Sequence, residues 1–304
     1  MKTGSGVLEA LRSKGHDPLD VTITRSGSYM VQGFAKEPHA ALSAVDVVFL
    51  ALHGTYGEDG QVQRLLEMLA IPYTGSRPYP SMLAMNKILV KEHLKNSSVR
   101  MAPHLKIHRE ETDVKRAVLA ARELFGPDFV VKPVDSGSSV DVFLVKGETE
   151  LMKAVNTLLQ KRIALIIEKR IYGKEATVGV LERFRDQDLY ALPAIEIVLP
   201  KEAEFFDYEN KYNGKTEEIC PGRFSKEEKS TLEENALFVH RTLGLSQYSR
   251  SDFIVAEDGV YFLEVNTLPG LTANSLLPKA LEAVGTSYAD FLEYLIADAM
   301  ESRK

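Results

Sequence analysis

The sequence predicts an α/β protein assembled from smaller α+β modules, and three observations carry that expectation. Some stretches place apolar residues at the helical period, others are short β-branched runs, and the two kinds alternate along the chain with Gly or Pro at the joins. A chain of 304 residues is long enough for two or three domains.

The first element is a helix, with Val7, Leu8 and Leu11 on one face and Gly15 as its stop. VTIT (21–24) and the apolar run VDVVFLAL (45–52) read as strands, and a second helix follows with Val62, Leu65, Leu66 and Leu69 in phase before Pro72. This alternation predicts an open, mostly parallel sheet over residues 1–86. Such a sheet normally begins with a strand whose end forms the ligand crevice, whereas this chain starts directly on the helix. A polar, helix-rich connector runs from 76 to 104, punctuated by Pro78, Pro80 and Pro103, and a boundary falls near Asn86.

Residues 87–171 form the second predicted module. A helix spans Val114, Ala117, Val118, Ala121, Leu124 and Phe125 and stops at Gly126, and the strands DFVVKPV, DVFLVK and ALIIEKRI follow. Residues 172–304 form the third, with strands EATVGVL, ALPAIEIVL, DFIVAE and GVYFLEV and helices KEEKSTLEENALFVHRTLG and SYADFLEYLIADAM.

Composition excludes several classes. The hydrophobic fraction of 44%, with 13 Phe and 12 Tyr, is that of an ordinary globular protein, and a net charge of −6 gives no long-range attraction to nucleic acid or anionic lipid. A single cysteine, Cys220, rules out an internal disulfide or a cysteine-built metal cage. No apolar stretch is long enough for a membrane-spanning helix and the N-terminus lacks a signal-peptide core, so a cytoplasmic protein is expected.

Four constellations bear on chemistry. Asp252 opens DFIVAE, a turn at Glu257-Asp258-Gly259 reverses the chain, and VYFLEVN returns, so Asp252 and Glu264 are expected level on a hairpin, with Asn266 on the same face. Two carboxylates and an amide oxygen sharing one space suit a hard cation such as Mg²⁺ that bridges to phosphate; solvated edge strands are the other reading. In VVKPVDSGSSVDVFLV, Lys132 precedes a Ser136-Gly137-Ser138-Ser139 loop that reads either as an anion cradle or as an ordinary hairpin turn. LIIEKRIYGKEATV places Glu168 and Lys169 at a strand end and Glu175 beyond Gly173, an arrangement for a purine and a ribose or simply two strands with charged ends. In ALHGTYGEDGQVQ, His53 follows an apolar run, while Glu58 and Asp59 read as acids at a helix N-terminus.

Taken in order, HGTYGEDG, IPYTGS, NK, VVKPVDSGSS, IIEKRI-YGKE, FFDYENKY, CPGRF, SRSDF and EVNTLPGLTANSLLPK make the chain similar to the D-alanine-D-alanine ligase family of the ATP-grasp superfamily, over residues 2 to 298. The resemblance implies a three-part ATP-grasp fold that binds ATP between the central and C-terminal modules and joins two D-alanine molecules through an acylphosphate, supplying cell-wall peptidoglycan. It implies that Lys87, Lys132 and Lys211 meet the phosphates, that Gly137, Ser138 and Ser139 close over them, and that Glu168, Lys169 and Ile171 form the adenine pocket with Glu175 on the ribose. Asp252, Glu264 and Asn266 would hold two Mg²⁺ or Mn²⁺ ions. Arg250 and the Gly270 N–H would stabilise the oxyanion, Ser275 and Leu276 would hold the second substrate's carboxylate, and His53 would lie near the first substrate. Ser138 and Tyr212 match residues that fasten an omega-type loop over the site, and a homodimer is implied.

Three departures qualify the resemblance. Family members usually begin with a strand and a glycine-rich turn whose glutamate binds the first D-alanine's ammonium, and this chain starts at the helix beyond it, which implies coding sequence upstream of Met1 or else impaired turnover. Ser136 stands where glutamate is usual, and Asp141 where glycine is usual, putting an acid either beside the triphosphate or pointing outward. Two other functions stay open: an ATP-grasp ligase for a different carboxylate and amine, and a nucleotide-binding protein without turnover.

Overall fold

A computed structural model describes residues 2–137, 141–200, 216–272 and 274–302. The expected Ser138, Ser139, Lys211 and Tyr212, and the whole FFDYENKY loop, lie outside the described residues.

The N-terminal part holds α1 (Lys2–Ser13), the strands β1 (Val21–Ile23), β2 (Tyr29–Val31) and β3 (Phe34–Lys36), and helices α2 (Pro38–Leu42), α3 (Gln61–Met68) and α4 (Pro78–Met85). The helices fall where periodicity places them: Val7, Leu11, Val62 and Leu66 are buried, and Gly15 takes the left-handed φ of +86° that ends the first. The sheet differs from expectation. β1, β2 and β3 form an antiparallel meander, and VDVVFLAL makes only a single parallel bridge, Val48 with Tyr73. Val48 takes its bonds from Pro72 and Thr74 on one edge, and among the described residues no strand pairs its other edge. An apolar run becomes a ladder strand only where a neighbour supplies donors and acceptors.

The central part comprises α5 (Lys87–Leu94), β4 (Arg100–Met101), β5 (His104–His108), α6 (Val114–Phe125), β6 (Asp128–Pro133), β7 (Phe143–Lys146), α7 (Gly147–Leu159) and β8 (Ala164–Lys169). Strands β5-β8-β6-β7 make an antiparallel sheet, and α6 and α7 cover one face around a core containing Phe129, Val131, Leu151, Leu158 and Leu165. Asp113 caps α6 by accepting from Arg116 N at 3.1 Å, and Gly126 ends it. Leu124, expected on the apolar face, is 65% exposed, because the stripe through Val118, Ala121 and Phe125 leaves it on the far side.

The C-terminal part contains β9 (Lys174–Phe184), β10 (Gln187–Ala191), β11 (Ile195–Val198), β12 (Glu217–Ile219), α8 (Lys226–Thr242), β13 (Tyr248–Ala256), β14 (Gly259–Asn266), α9 (Leu276–Ala283) and α10 (Tyr288–Ser302). Its sheet runs β12-β11-β9-β13-β14-β4, with β10 also paired to β9 and only β4 parallel to its neighbour. Helices α5 and α8 pack through Val90, Leu94, Leu232 and Val239 against Val178, Phe253 and Phe262 of this sheet. A separate core joins Leu66 and Tyr73 to Leu277, Leu281, Phe291 and Leu295. The site therefore lies where β6 and β8 of one sheet meet β9, β13 and β14 of the other.

Candidate active site

The β13–β14 hairpin turns through Glu257 and Asp258, pairing Ala256 with Gly259, and this register brings Asp252 opposite Glu264 and Arg250 opposite Asn266. Strand alternation then puts all four side chains on one face. A register irregularity between Asp252 and Phe253 shifts the alternation just beyond them. Arg250 grips Asp252 as a fork, Nε to Oδ1 and Nη2 to Oδ2, each at 2.9 Å. Thr177 on β9 donates to Asp252 Oδ1 at 2.6 Å, and Asn266 Nδ2 donates to Oδ2 at 3.2 Å.

Glu264 faces Lys87 Nζ at 3.4 Å, and the same ammonium donates to the Ser136 carbonyl. Lys87 opens α5, where Asn86 caps the helix by accepting from Ile88 and Leu89 at 3.1 Å. Burial draws the Lys87 ammonium below its ordinary value, and Glu264 opposes that pull.

On the facing sheet Glu168, at the end of β8, pairs through Oε2 with Lys132 at 2.7 Å and through Oε1 with Lys91 at 2.8 Å. All three are buried. Burial pushes the Glu168 carboxyl up, but the charges and hydrogen bonds of Lys132 and Lys91 outweigh it and hold the group at about 2. For Lys91, burial wins and draws its ammonium down.

Between the two sheets lies a cleft of about 400 Å³, lined by Lys87, Lys132, Glu168, Lys169, Ile171, Glu175, Arg250, Asp252, Glu264 and Leu276. Val130, Val142, Leu144 and Leu263 give it apolar walls. A smaller recess holds Gly137 and Asn266 beside Lys87 and Glu264. Predicted residues from separate segments thus line one space that carries both charged groups and apolar walls.

His53, Gly270 and Ser275 do not line the cleft. His53 is exposed; its Nδ1–H donates to Leu268 O at 2.9 Å, and its Nε2 lies 3.0 Å from Thr3 Oγ1. Gly270 packs so closely on Ser275 that a side-chain carbon there would stand 3.1 Å from Ser275 Oγ. Ser275 precedes α9, but its hydroxyl accepts from Thr272 N at 3.0 Å instead of capping the helix, which leaves the helix N-terminus to other acceptors.

One expectation is corrected here. Glu58 does not serve the start of α3: its buried carboxylate accepts from Gly54 N at 2.7 Å and, across the molecule, from Leu268 N at 3.0 Å, and burial pushes it up. Only Asp59 plays the helix-start role, accepting from Gln61 N at 3.1 Å. Asp141, whose direction the sequence left open, binds Arg162, Nη2 at 2.6 Å and Nε at 3.1 Å. Its φ of +61° explains why glycine suits that position.

Sequence reasoning missed Lys91, Thr177 and the Glu196–Arg223 pair, 2.8 Å apart. Lys91 had a usable signal, since it stands one helical turn beyond Lys87 on the same buried face of α5.

A cation site is testable on the donors themselves. Among the described residues no three of His, Cys, Asp and Glu cluster, so the acids here are two, with the amide of Asn266 as a third oxygen source. That set is hard, half-buried and short of the six oxygens Mg²⁺ prefers, which fits an ion completed by phosphate oxygens and water.

The profile described as the D-ala D-ala ligase C-terminus matches residues 94–297, and that of the D-ala D-ala ligase N-terminus matches residues 32–76. The chain belongs to the D-alanine-D-alanine ligase family. Within it, the D-alanine-D-alanine ligase of Geobacter sulfurreducens is 42% identical over 302 residues, covering 98% of this chain and 89% of the relative. The crystal structure of the D-alanine-D-alanine ligase from Bacillus anthracis matches with a TM-score of 0.82 at 30% identity, covering 99% of this chain and 92% of that one. A structure of the Bacillus anthracis ligase complexed with ATP matches with a TM-score of 0.72 at 32% identity, covering 86% and 81%. The ATP-grasp arrangement expected from the sequence is therefore the fold of this member of the ligase family.

Proposed function

We propose that this protein is an ATP-dependent ligase that joins two D-alanine molecules into D-alanyl-D-alanine, a peptidoglycan precursor. Family membership over nearly the whole chain supports the activity, and one structural observation carries the site assignment: Asp252 and Glu264 line the same cleft as Lys87 and Lys132, and Asn266, on the same strand face, lies in the adjoining recess.

Carboxylate is a poor acyl donor because oxide would have to leave; transfer of the γ-phosphoryl of ATP to one D-alanine gives an acylphosphate with a good leaving group. The amine of the second D-alanine then displaces phosphate. Lys87 and Lys132 neutralise the phosphate charge in the cleft, while the apolar walls and Glu168, Lys169 and Ile171 receive the base and Glu175 the ribose. Asp252, Glu264 and Asn266 would hold Mg²⁺ or Mn²⁺, two ions in this reading, which offset the charge gathering during transfer. Arg250, fixed by its fork on Asp252, and the Gly270 N–H stabilise the tetrahedral oxyanion. Ser275 and Leu276 at the start of α9 receive the second carboxylate, and His53 stands by the first substrate. Gly137 with Ser138 and Ser139, together with Lys211 and Tyr212, complete the phosphate side and the cover that excludes water. The division near residues 86 and 171 belongs to the same reading; the self-contained core spanning 107–167 supports the second boundary, while α5 and β4 pack with the C-terminal sheet. No described helix is long and apolar enough to cross a membrane. A cytoplasmic homodimer completes the proposal.

Incubation with ATP, Mg²⁺ and D-alanine tests it. Phosphate release and D-alanyl-D-alanine, read by mass spectrometry, are expected to rise together and to require D-alanine. Release that ignores D-alanine but follows a different amino acid would replace this reading with a ligase of other specificity. Nucleotide binding without release under any substrate would replace it with a binding protein.

A further inference from the structure

Lys91 is 3% exposed and lies behind the cleft wall, not on it. Its ammonium donates to Ala102 O at 3.1 Å and pairs with Glu168 Oε1 at 2.8 Å. The other oxygen of Glu168 meets Lys132, which does line the cleft. One carboxylate is thus shared between a cation outside the nucleotide's reach and a cation within it.

The two lysines differ in what a bound nucleotide does to them. Phosphate oxygens draw Lys132 toward themselves, leaving Glu168 with less of its cleft-side partner. A carboxylate 4% exposed and unpaired would take up a proton or swing out, because burying a lone charge is expensive. Lys91 prevents both, since its partners stay in place whatever fills the cleft. Glu168 then remains ionised and fixed in the cleft that Val130, Leu144 and Leu263 also line. The neighbouring Lys169 and Arg170 have spent their N–H groups on the carbonyls of Pro103 and Asp128. A fixed carboxylate accepts from the amino group of a 6-aminopurine and repels the oxygen of a 6-oxopurine.

Resting on the nucleotide reading of this cleft, we propose that Lys91 is the positioning residue that holds Glu168 to read the base amino group, and so sets the preference for adenine over 6-oxopurines. Lys91 touches neither nucleotide nor amino acid and acts through Glu168 alone.

Dissociation constants for ADP and IDP, each with Mg²⁺, measured by calorimetry on the full chain, test this. Wild type is expected to prefer ADP. Lys91→Met should shrink that preference by about tenfold, the effect of one charge-assisted hydrogen bond, by weakening ADP more than IDP. Lys91→Arg, which restores a cation, should recover part of it. A purely structural role would weaken both nucleotides equally, so an unchanged ratio in Lys91→Met overturns the proposal, as does a wild type that binds both alike. Should Lys91→Met fail to fold, Glu168→Gln serves in its place, because an amide both donates and accepts; a wild-type ratio there also overturns it. Binding needs no ligation, so absent dipeptide synthesis would reject the proposed reaction while leaving this result standing.

Discussion

Asp252 accepts hydrogen bonds from Arg250, Thr177 and Asn266, so its replacement would both remove an oxygen donor and unpair a nearly buried guanidinium. Glu264→Gln separates these effects, because it keeps the shape and leaves the Arg250 fork intact. Loss of that charge beside the transferring phosphoryl should lower D-alanine-dependent phosphate release by at least about a hundredfold, with the melting temperature little changed. Equal rates for variant and wild type would remove Glu264 from the cation set. Glu168 yields a pH prediction. Its carboxyl is held at about 2, below the ordinary value of 4.5, so its pairing stabilises the fold fully above pH 4.5 and loses that contribution as pH falls toward 2. The stability gap between wild type and Glu168→Gln, measured by urea unfolding, should therefore narrow between pH 6 and pH 3. A gap that stays constant would mean the carboxyl is not depressed. Asp141→Gly trades the Arg162 pair for relief of a left-handed φ, two effects of similar size, and is expected to change stability by less than about 1 kcal/mol in thermal unfolding.

At the level of elements, legibility followed how local the determining forces are. The β13–β14 hairpin was readable to the register, because a tight turn between alternating strands leaves few ways to pair Asp252 and Glu264. The parallel sheet expected around VDVVFLAL was not, because β-pairing depends on a neighbour that the run itself does not encode. Helix α7 was overlooked although Leu151, Ala154, Val155 and Leu158 keep the helical period, since the stretch lay among confident strands. Within the site, Lys87, Lys132, Glu168, Asp252 and Glu264 line one cleft whereas His53, Gly270 and Ser275 do not, and the role of Glu58 was misread because its partner Leu268 is 210 residues away. Helix α8 shows the local extreme: Ser225 and Glu228 form a reciprocal capping box, Ser225 N to Glu228 Oε2 at 2.6 Å and Glu228 N to Ser225 Oγ at 3.1 Å. Ser225→Ala is expected to cost about 1 kcal/mol of unfolding free energy, read by urea titration, and to leave the rate of phosphate release unchanged, as the cap is exposed and does not line the cleft.

Across the whole molecule, the N-terminal segment is seated on the sheet that carries one wall of the cleft, and the residue that ties them is Gln247. It is 4% exposed and held at a left-handed φ of +61° at the foot of β13. Its Oε1 accepts from Gly75 N at 2.6 Å, its Nε2 donates to Leu295 O at 3.0 Å and Asp298 Oδ2 at 2.7 Å, and its own N–H donates to Glu182 Oε2 at 2.7 Å. The N-terminal segment, β9 and α10 are thus joined through one amide. Arg183 extends the junction by donating to Asp298 Oδ1 at 2.7 Å. Gln247→Leu matches the volume but strands a buried N–H and a buried carbonyl, and should destabilise the protein by about 2–4 kcal/mol. That corresponds to a fall in melting temperature on the order of 3–6 °C for a chain of this size. The cleft walls hang on the ladders between β9, β13 and β14, which this change does not touch, so ADP affinity at 25 °C should stay within about twofold of wild type. A melting temperature equal to wild type would show that the junction is carried by the apolar core around Leu277 and Phe291 alone.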